Sequence, residues 1–216
     1  MLTVIGNLKG GTGKSTVAFN LAVWLAHDRP GVRVFDLDPQ ATLIDTAEIR
    51  EEDGYEPVFD VSNDIDELEM LVNGNGKGKG KKKAPQLLAD VSATNMPHLE
   101  KAISMAKRIL IPVQPSQADI WSTQRFLKIV LSTVDKKKKP EILGFINRAD
   151  THIGVRETGE AEEALQLLPN IEALDTRLYQ RTAYRRSFSE GLAVFEQDPM
   201  GKAAREMKKL AKLLYK

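Results

Sequence analysis

Apolar residues recur along this chain in two alternating rhythms. Short, nearly continuous apolar runs stand at 2–5, 32–35, 86–90, 108–113 and 142–146. Runs of that length, bounded by turn residues, read as strands buried on both faces. Weaker runs at 57–59 and 171–174 read as two further strands. Between them, apolar residues return at three- and four-residue steps, the helical period, over 17–27, 42–51, 64–71, 97–105, 120–134, 157–168 and 200–214. In the last of these, Met200, Ala203, Ala204, Met207, Leu210, Ala211 and Leu214 form one apolar face. Strand and helix alternate throughout, which predicts an α/β fold: a doubly wound, mostly parallel twisted sheet with helices on both faces. At 216 residues, one such domain spanning 1–216 accounts for the whole sequence.

Turn chemistry adds the candidate site. The run at 2–5 leads into Lys9-Gly10-Gly11-Thr12-Gly13-Lys14-Ser15-Thr16, and a helical pattern follows at once. Strand, glycine turn and helix form the setting of a phosphate-binding loop. Glycines let backbone N–H groups turn toward an anion, and the helix N-terminus adds partial positive charge. Lys14 is placed to reach the outer phosphates, and the Ser15 hydroxyl to help hold Mg²⁺. The general pattern wants another glycine where Leu8 stands, and a second lysine, Lys9, precedes the glycine pair. Two adjacent cations are costly to hold together unless a polyanion lies between them.

Three strands end in polar residues, where parallel sheets bind ligands. The second ends in Asp36-Leu37-Asp38-Pro39-Gln40, the fourth in Asp90 and the sixth in Asn147-Arg148-Ala149-Asp150. Paired acids beside a phosphate loop suit Mg²⁺ ligation and orientation of an attacking water. Asparagine can pair with the N6/N7 edge of adenine, but N-R-A-D also approaches the N-K-x-D of GTPases sharing the wider fold.

The doubled lysine and the D-L-D-P-Q segment resemble the deviant phosphate-loop (Walker A) ATPases of the ParA/MinD family. The likeness runs nearly the full length and is nearest to short, ParF-like partition ATPases that lack an N-terminal DNA-binding domain. Gln114 to Asp119 resembles that family's loop after the fifth strand. The segment after Asp90 departs from it, reading Val91-Ser92-Ala93-Thr94-Asn95 where relatives carry glycine or proline. The resemblance implies a Mg²⁺-dependent ATPase in which Lys9 reaches across a two-fold interface to the partner's nucleotide. It implies catalytic roles for Lys9, Lys14 and Asp38, the last positioning the hydrolytic water. Asp36 would serve the metal's outer shell, and Ser15 and Asp90 the metal itself. Lys9, Gly10, Gly11, Thr12, Gly13, Lys14, Ser15, Thr16, Asn147 and Arg148 would bind the nucleotide, with adenine favoured. An ATP-dependent homodimer, non-specific DNA and a ParB-like or other adaptor that stimulates hydrolysis would be the partners. Plasmid or chromosome segregation, or positioning of a protein cargo such as a microcompartment, would be the outcome.

Other features bear on partners. Net charge is +1, so a nucleic-acid site must be a local patch. Four arginines fall between Arg177 and Arg186, interleaved with tyrosines. Arg181, Arg185, Arg186 and, further on, Lys202 are candidates for phosphate contact, and a solvated helix face is the other reading. The Gly/Lys-rich stretch 73–83 reads as a flexible surface loop, either touching phosphates or simply solvated. The closing helix is basic and amphipathic, as a membrane-surface anchor of the MinD type would be, although packing on the sheet also explains its apolar face. There are no cysteines, which excludes disulfides and thiolate-held metals. No apolar run approaches a membrane span, and a strand at the start leaves no room for a secretion signal, so a cytoplasmic, nucleoid-associated protein is expected. A metabolic P-loop ligase is the remaining alternative.

Overall fold

All the strands run parallel because each returns through a helix to the same edge. In the computed structural model, residues 1–28, 31–74, 85–135, 137, 139–152 and 156–215 are described. Their strands are β1 (Leu2–Ile5), β2 (Arg33–Asp36), β3 (Asp60–Ser62), β4 (Leu87–Asp90), β5 (Arg108–Val113), β6 (Glu141–Ala149) and β7 (Glu172–Tyr179). The helices are α1 (Lys14–Asp28), α2 (Thr42–Glu52), α3 (Ile65–Gly74), α4 (Met96–Met105), α5 (Gln117–Thr133), α6 (Glu157–Gln166), α7 (Thr182–Ser189), α8 (Val194–Gln197) and α9 (Lys202–Leu214). The sheet order is β3-β2-β4-β1-β5-β6-β7.

Side-chain alternation along each strand divides the apolar residues between two cores. Leu2, Val4, Leu87, Ala89, Ile109 and Ile111 pack with Leu68, Leu99, Phe126 and Leu165 on α3 to α6. Ile5, Leu88 and Leu110 pack on the opposite face with Phe19, Leu21, Leu43, Met207 and Leu210. The central strands are therefore buried on both sides, which is why they read as continuous apolar runs.

The departures from the sequence pattern are at the edges. β7 extends to Tyr179, well past the expected 171–174. Among the described strands it pairs with β6, with a register shift, and the exposed Glu172 and Asp175 break up the strand pattern. β3 lies at 60–62 rather than 57–59 and is the opposite edge strand, although Phe59 just before it is buried. α5 starts at Gln117 instead of 120, because the Ser116 side chain accepts the Asp119 amide and caps it. Met200 is 83 % exposed and does not belong to the closing helix, which starts at Lys202 after Gly201. The other apolar residues expected on α9 are buried against the sheet. The Gly/Lys-rich stretch from residue 75 to 83 lies outside the described residues.

Candidate nucleotide-binding site

Strand register gathers the polar strand ends at one edge. Ile5, the last residue of β1, lies opposite Asp90, and Asp90 lies opposite Asp36. The chain leaves β1 through Gly6 and turns into α1 at Lys14, with Gly11 at φ 74° and Gly13 at φ 85°. Gly13 is required twice over, since a Cβ there would stand 2.5 Å from the Asn147 amide nitrogen. That amide, from β6, donates to the Thr12 carbonyl at 2.6 Å, and the Gln114 amide donates to the Gly11 carbonyl at 2.9 Å. Across a planar trans peptide, N–H points opposite to C=O. The N–H groups of Thr12 and Gly13 therefore face away from these braces, as a cradle for phosphate requires. Lys14 is 7 % exposed, whereas Lys9 is at the surface and ion-paired to Asp119.

The three acids differ in what they have left to give. Asp90 is fully buried and makes no hydrogen bond of ordinary geometry, although the Ser15 hydroxyl is close enough to favour its charged form. Burial pushes its carboxyl up to about 7; Ser15 and Lys14 nearby favour the charged form, while Asp36 and Asp38 oppose it. The Thr12 hydroxyl is likewise buried and unpartnered. Unspent oxygens beside a serine hydroxyl fit a hard divalent cation, so Ser15 and Asp90 are the residues that would hold Mg²⁺. Asp36 is already committed: it accepts from the amides of Leu43 at 2.9 Å and Ile44 at 3.2 Å, and from Asp38 at 3.2 Å. Burial raises its carboxyl, and those three N–H groups only partly offset the effect. It caps α2. Asp38 is half-buried, with one oxygen on the Gln40 amide at 3.0 Å.

The Asp90 carboxyl sets an expected pH dependence for the nucleotide-free protein. Its folded value lies above the ordinary carboxylate value, so this group favours the fold at low pH. That contribution declines as pH rises from about 4 to about 7, by up to about 4 kcal/mol. Asp90→Asn should remove the decline, making the variant the more stable of the two at about pH 8 in chelator. Urea melts of both proteins at two pH values measure the difference.

Beside the loop, a cleft of about 120 Å³ is lined by Gly13, Thr16, Asn147, Arg148, Gln180 and Tyr184, among others. It is where a base joined to a loop-bound phosphate would lie. Asn147 is at hand, with one amide hydrogen on the Thr12 carbonyl and its carbonyl oxygen still available, and Arg148 adopts φ 57°. Arg181 also lines the cleft and is gripped by Glu206 at 2.8 and 2.6 Å, stacked 5.1 Å over Tyr179. Arg185, Arg186 and Lys202 are exposed. The structure thus brings Lys14, Ser15, Asp36, Asp38, Asp90 and Asn147 to one edge, and Arg181 differs from the three exposed cations in being ion-paired. Sequence reasoning missed Gln114 as a brace and Asp119 as the partner of Lys9. The S-x-x-D spacing from Ser116 to Asp119 was the available signal, since it is a helix N-terminus signature.

The profile of the CobQ/CobB/MinD/ParA nucleotide binding domain matches residues 3–195, which include this whole edge. The chain belongs to that family. Among its relatives, the maintenance of carboxysome distribution protein A of Halothiobacillus neapolitanus is 28% identical over 209 residues, covering 93% of this chain and 89% of the relative. Protein ParA of Rhizobium radiobacter is 24% identical over 201 residues, covering 88% and 83%. The MinD cell division protein of Aquifex aeolicus has the same fold, with a TM-score of 0.75 at 17% identity, covering 99% of this chain and 96% of that one. That family is one of nucleotide binding domains. Among the described residues, no helix is long and apolar enough to cross a membrane.

Proposed function

We propose that this family member is a ParA-type ATPase that hydrolyses ATP to ADP and phosphate between two copies of itself and uses the cycle to position or segregate a cargo. The observation that carries this reading is the division of labour between two lysines on one loop. Lys14 is enclosed beside Asp90, and Lys9 stands 41% exposed at the surface. A lysine outside its own pocket serves a phosphate only if that phosphate arrives on another molecule. Lys14 and the loop amides bind and orient the triphosphate, and Ser15 and Asp90 hold Mg²⁺. That ion supplies neutralisation of the phosphate oxygens. Asp38 orients the attacking water, and Lys9 reaches the partner's phosphates.

Non-specific DNA is the partner the surface supports best. Lys202, Arg205, Lys209 and Lys212 are exposed on α9 at steps of three, four and three residues, so they share one face. Arg185 and Arg186 are exposed on α7. The apolar face of α9 is buried against the sheet and, among the described residues of that helix, Leu213 alone is a large apolar side chain left exposed, which speaks against a MinD-like anchor. A carboxysome-like body is a cargo that the name of one relative supports; a plasmid cargo and an adaptor protein that stimulates hydrolysis belong to the same reading.

Sedimentation with Mg²⁺–ATP against Mg²⁺–ADP tests the reading: a dimer is expected with ATP only. Brisk hydrolysis by a protein that stays monomeric at saturating ATP would overturn it. DNA binding should appear with ATP and weaken with salt, log affinity falling by roughly 0.9 per phosphate neutralised for each unit of log salt. Asp38→Ala should leave a long-lived, DNA-bound dimer with turnover lowered about 100-fold or more, the scale of losing a positioned base or water-orienting group. Phosphate release measures it, and normal turnover would remove Asp38 from its role.

A further inference from the structure

Lys9 is not idle in the single chain. Its ammonium is ion-paired with Asp119, the third residue of α5, and that carboxylate is 1% exposed. The same oxygen accepts the Ser116 hydroxyl, and Ser116 in turn caps the helix by accepting the Asp119 amide at 3.1 Å. The second carboxylate oxygen is buried and has no hydrogen-bond partner. A carboxylate this enclosed, with one oxygen unspent, depends on the lysine for its counter-charge. The β5–α5 corner that carries it also holds the loop, through Gln114 on Gly11, and Asn7 donates to the Pro112 carbonyl at 3.0 Å. Lys9 and Asp119 are therefore fixed on the same scaffold in every copy.

The lysine that is proposed to act on a partner's nucleotide is thus held by its own chain. We propose that Asp119 is a positioning residue that latches Lys9 in cis and must yield it, wholly or in part, for two chains to close around ATP. This rests on the trans role of Lys9 proposed above. The latch sets the threshold for dimerisation: a phosphate on the partner competes with the Asp119 carboxylate for one ammonium. Two-fold symmetry places one latch on each side, so both open together and their effects multiply in the dimer constant.

The test is the ATP-dependent self-association of wild type, Asp119→Asn, Lys9→Ala and the double variant, measured by sedimentation equilibrium at saturating Mg²⁺–ATP. Thermal melts of each nucleotide-free protein run alongside. Asparagine keeps the shape and the hydrogen bond to Ser116 but removes the charge. A charge-assisted bond to a half-exposed ammonium is worth about a factor of ten, so Asp119→Asn should tighten the dimer by about 100-fold through its two latches. Asp119→Asn should leave the Lys9→Ala dimer constant unchanged, because the competition it relieves no longer exists. Unchanged or weaker association of a folded Asp119→Asn protein would overturn the latch. Equal tightening in both backgrounds would overturn it too, since the effect would then not pass through Lys9. If Lys9→Ala itself associates as wild type does, the trans role fails, and the latch falls with it. If Lys9→Ala loses association while Asp119→Asn does not gain it, the latch alone fails.

Discussion

Lys14→Ala is expected to lower affinity for Mg²⁺–ATP about a thousandfold, and with it to abolish nucleotide-dependent dimerisation. The size follows from where the ammonium stands. It is 7 % exposed at the start of α1, so water screens it little. Opposite charges about 4 Å apart at an effective dielectric of about 20 interact by about 4 kcal/mol, which is about three powers of ten in binding. A surface lysine would contribute far less, because solvent and salt screen it. Removing Lys14 also takes from Asp90 one of the groups that favours its charged form. The variant should therefore lose metal as well as phosphate. Lys14→Arg should not rescue binding, since the planar guanidinium is larger and its donors fan out where a compact point charge is needed. Titration calorimetry with ATP decides it. A loss smaller than tenfold would mean that the loop amides hold the phosphates without Lys14, and the site would have to be rebuilt around them.

Glu196→Ala should cost the fold about 3–5 kcal/mol and lower the melting temperature by roughly 10 °C, although Glu196 stands in α8, far along the chain from the phosphate loop. The reason is Arg50, near the end of α2 and 1% exposed. Its guanidinium makes a two-pronged pair with Glu196, both contacts at 2.8 Å, and donates to the carbonyls of Gly191 at 3.0 Å and Pro57 at 2.9 Å. Gly191 has φ 65°, and a Cβ there would lie 2.6 Å from the Arg50 backbone nitrogen, so the two segments meet closely. Deleting the carboxylate leaves a guanidinium charge buried without its counter-ion, which is the expensive way to break a buried pair. Burial by itself would raise the Glu196 carboxyl. Arg50, the Ala193 amide and His27 outweigh that and hold it below its ordinary value. A lowered folded value stabilises the protein above the ordinary carboxylate range and loses that contribution as pH falls through the folded value. Glu196→Gln should therefore melt with a flatter acid limb than wild type. Chemical denaturation at neutral pH and at about pH 3.5 measures both effects, and a loss under about 1 kcal/mol would show that water reaches Arg50.

The same cluster illustrates what a linear reading cannot supply. Arg50 and Glu196 are 146 positions apart, and each alone reads as an ordinary charge on a helix. Nothing in the period of apolar residues distinguishes a solvated arginine from an enclosed one. Arg181 makes the converse point: among four arginines that read as one basic cluster, it is gripped by Glu206 and Arg177 by Glu162, while Arg185 and Arg186 face solvent. Asp36 read as an outer-shell acid for the metal, and the fold gives it a task that reading lacked: it accepts the free amides of Leu43 and Ile44 at the start of α2. A capping role is local, yet the turn that permits it has Ala41 at φ 53°, a conformation no sequence rule would assign to alanine.

The fold class and the glycine turn into α1 were legible because both depend on short-range rules. A strand buried on both faces must be continuously apolar, as at Ile109–Val113, and a loop that turns its amides on an anion must place glycine at positive φ, as at Gly11 and Gly13. The edge strands were not, because the exposed Glu172 and Asp175 interrupt the apolar pattern of β7. The tertiary structure alone decided which polar groups are already engaged and which are left over: Asn147 on Thr12, Lys9 on Asp119, and Asp90 with no hydrogen bond of ordinary geometry. Pairing of that kind depends on which strand ends and helix starts are brought within about 3 Å of one another, and hydrogen bonds and ion pairs discriminate at that scale. A sequence fixes the types of these groups; only the folded chain fixes their distances.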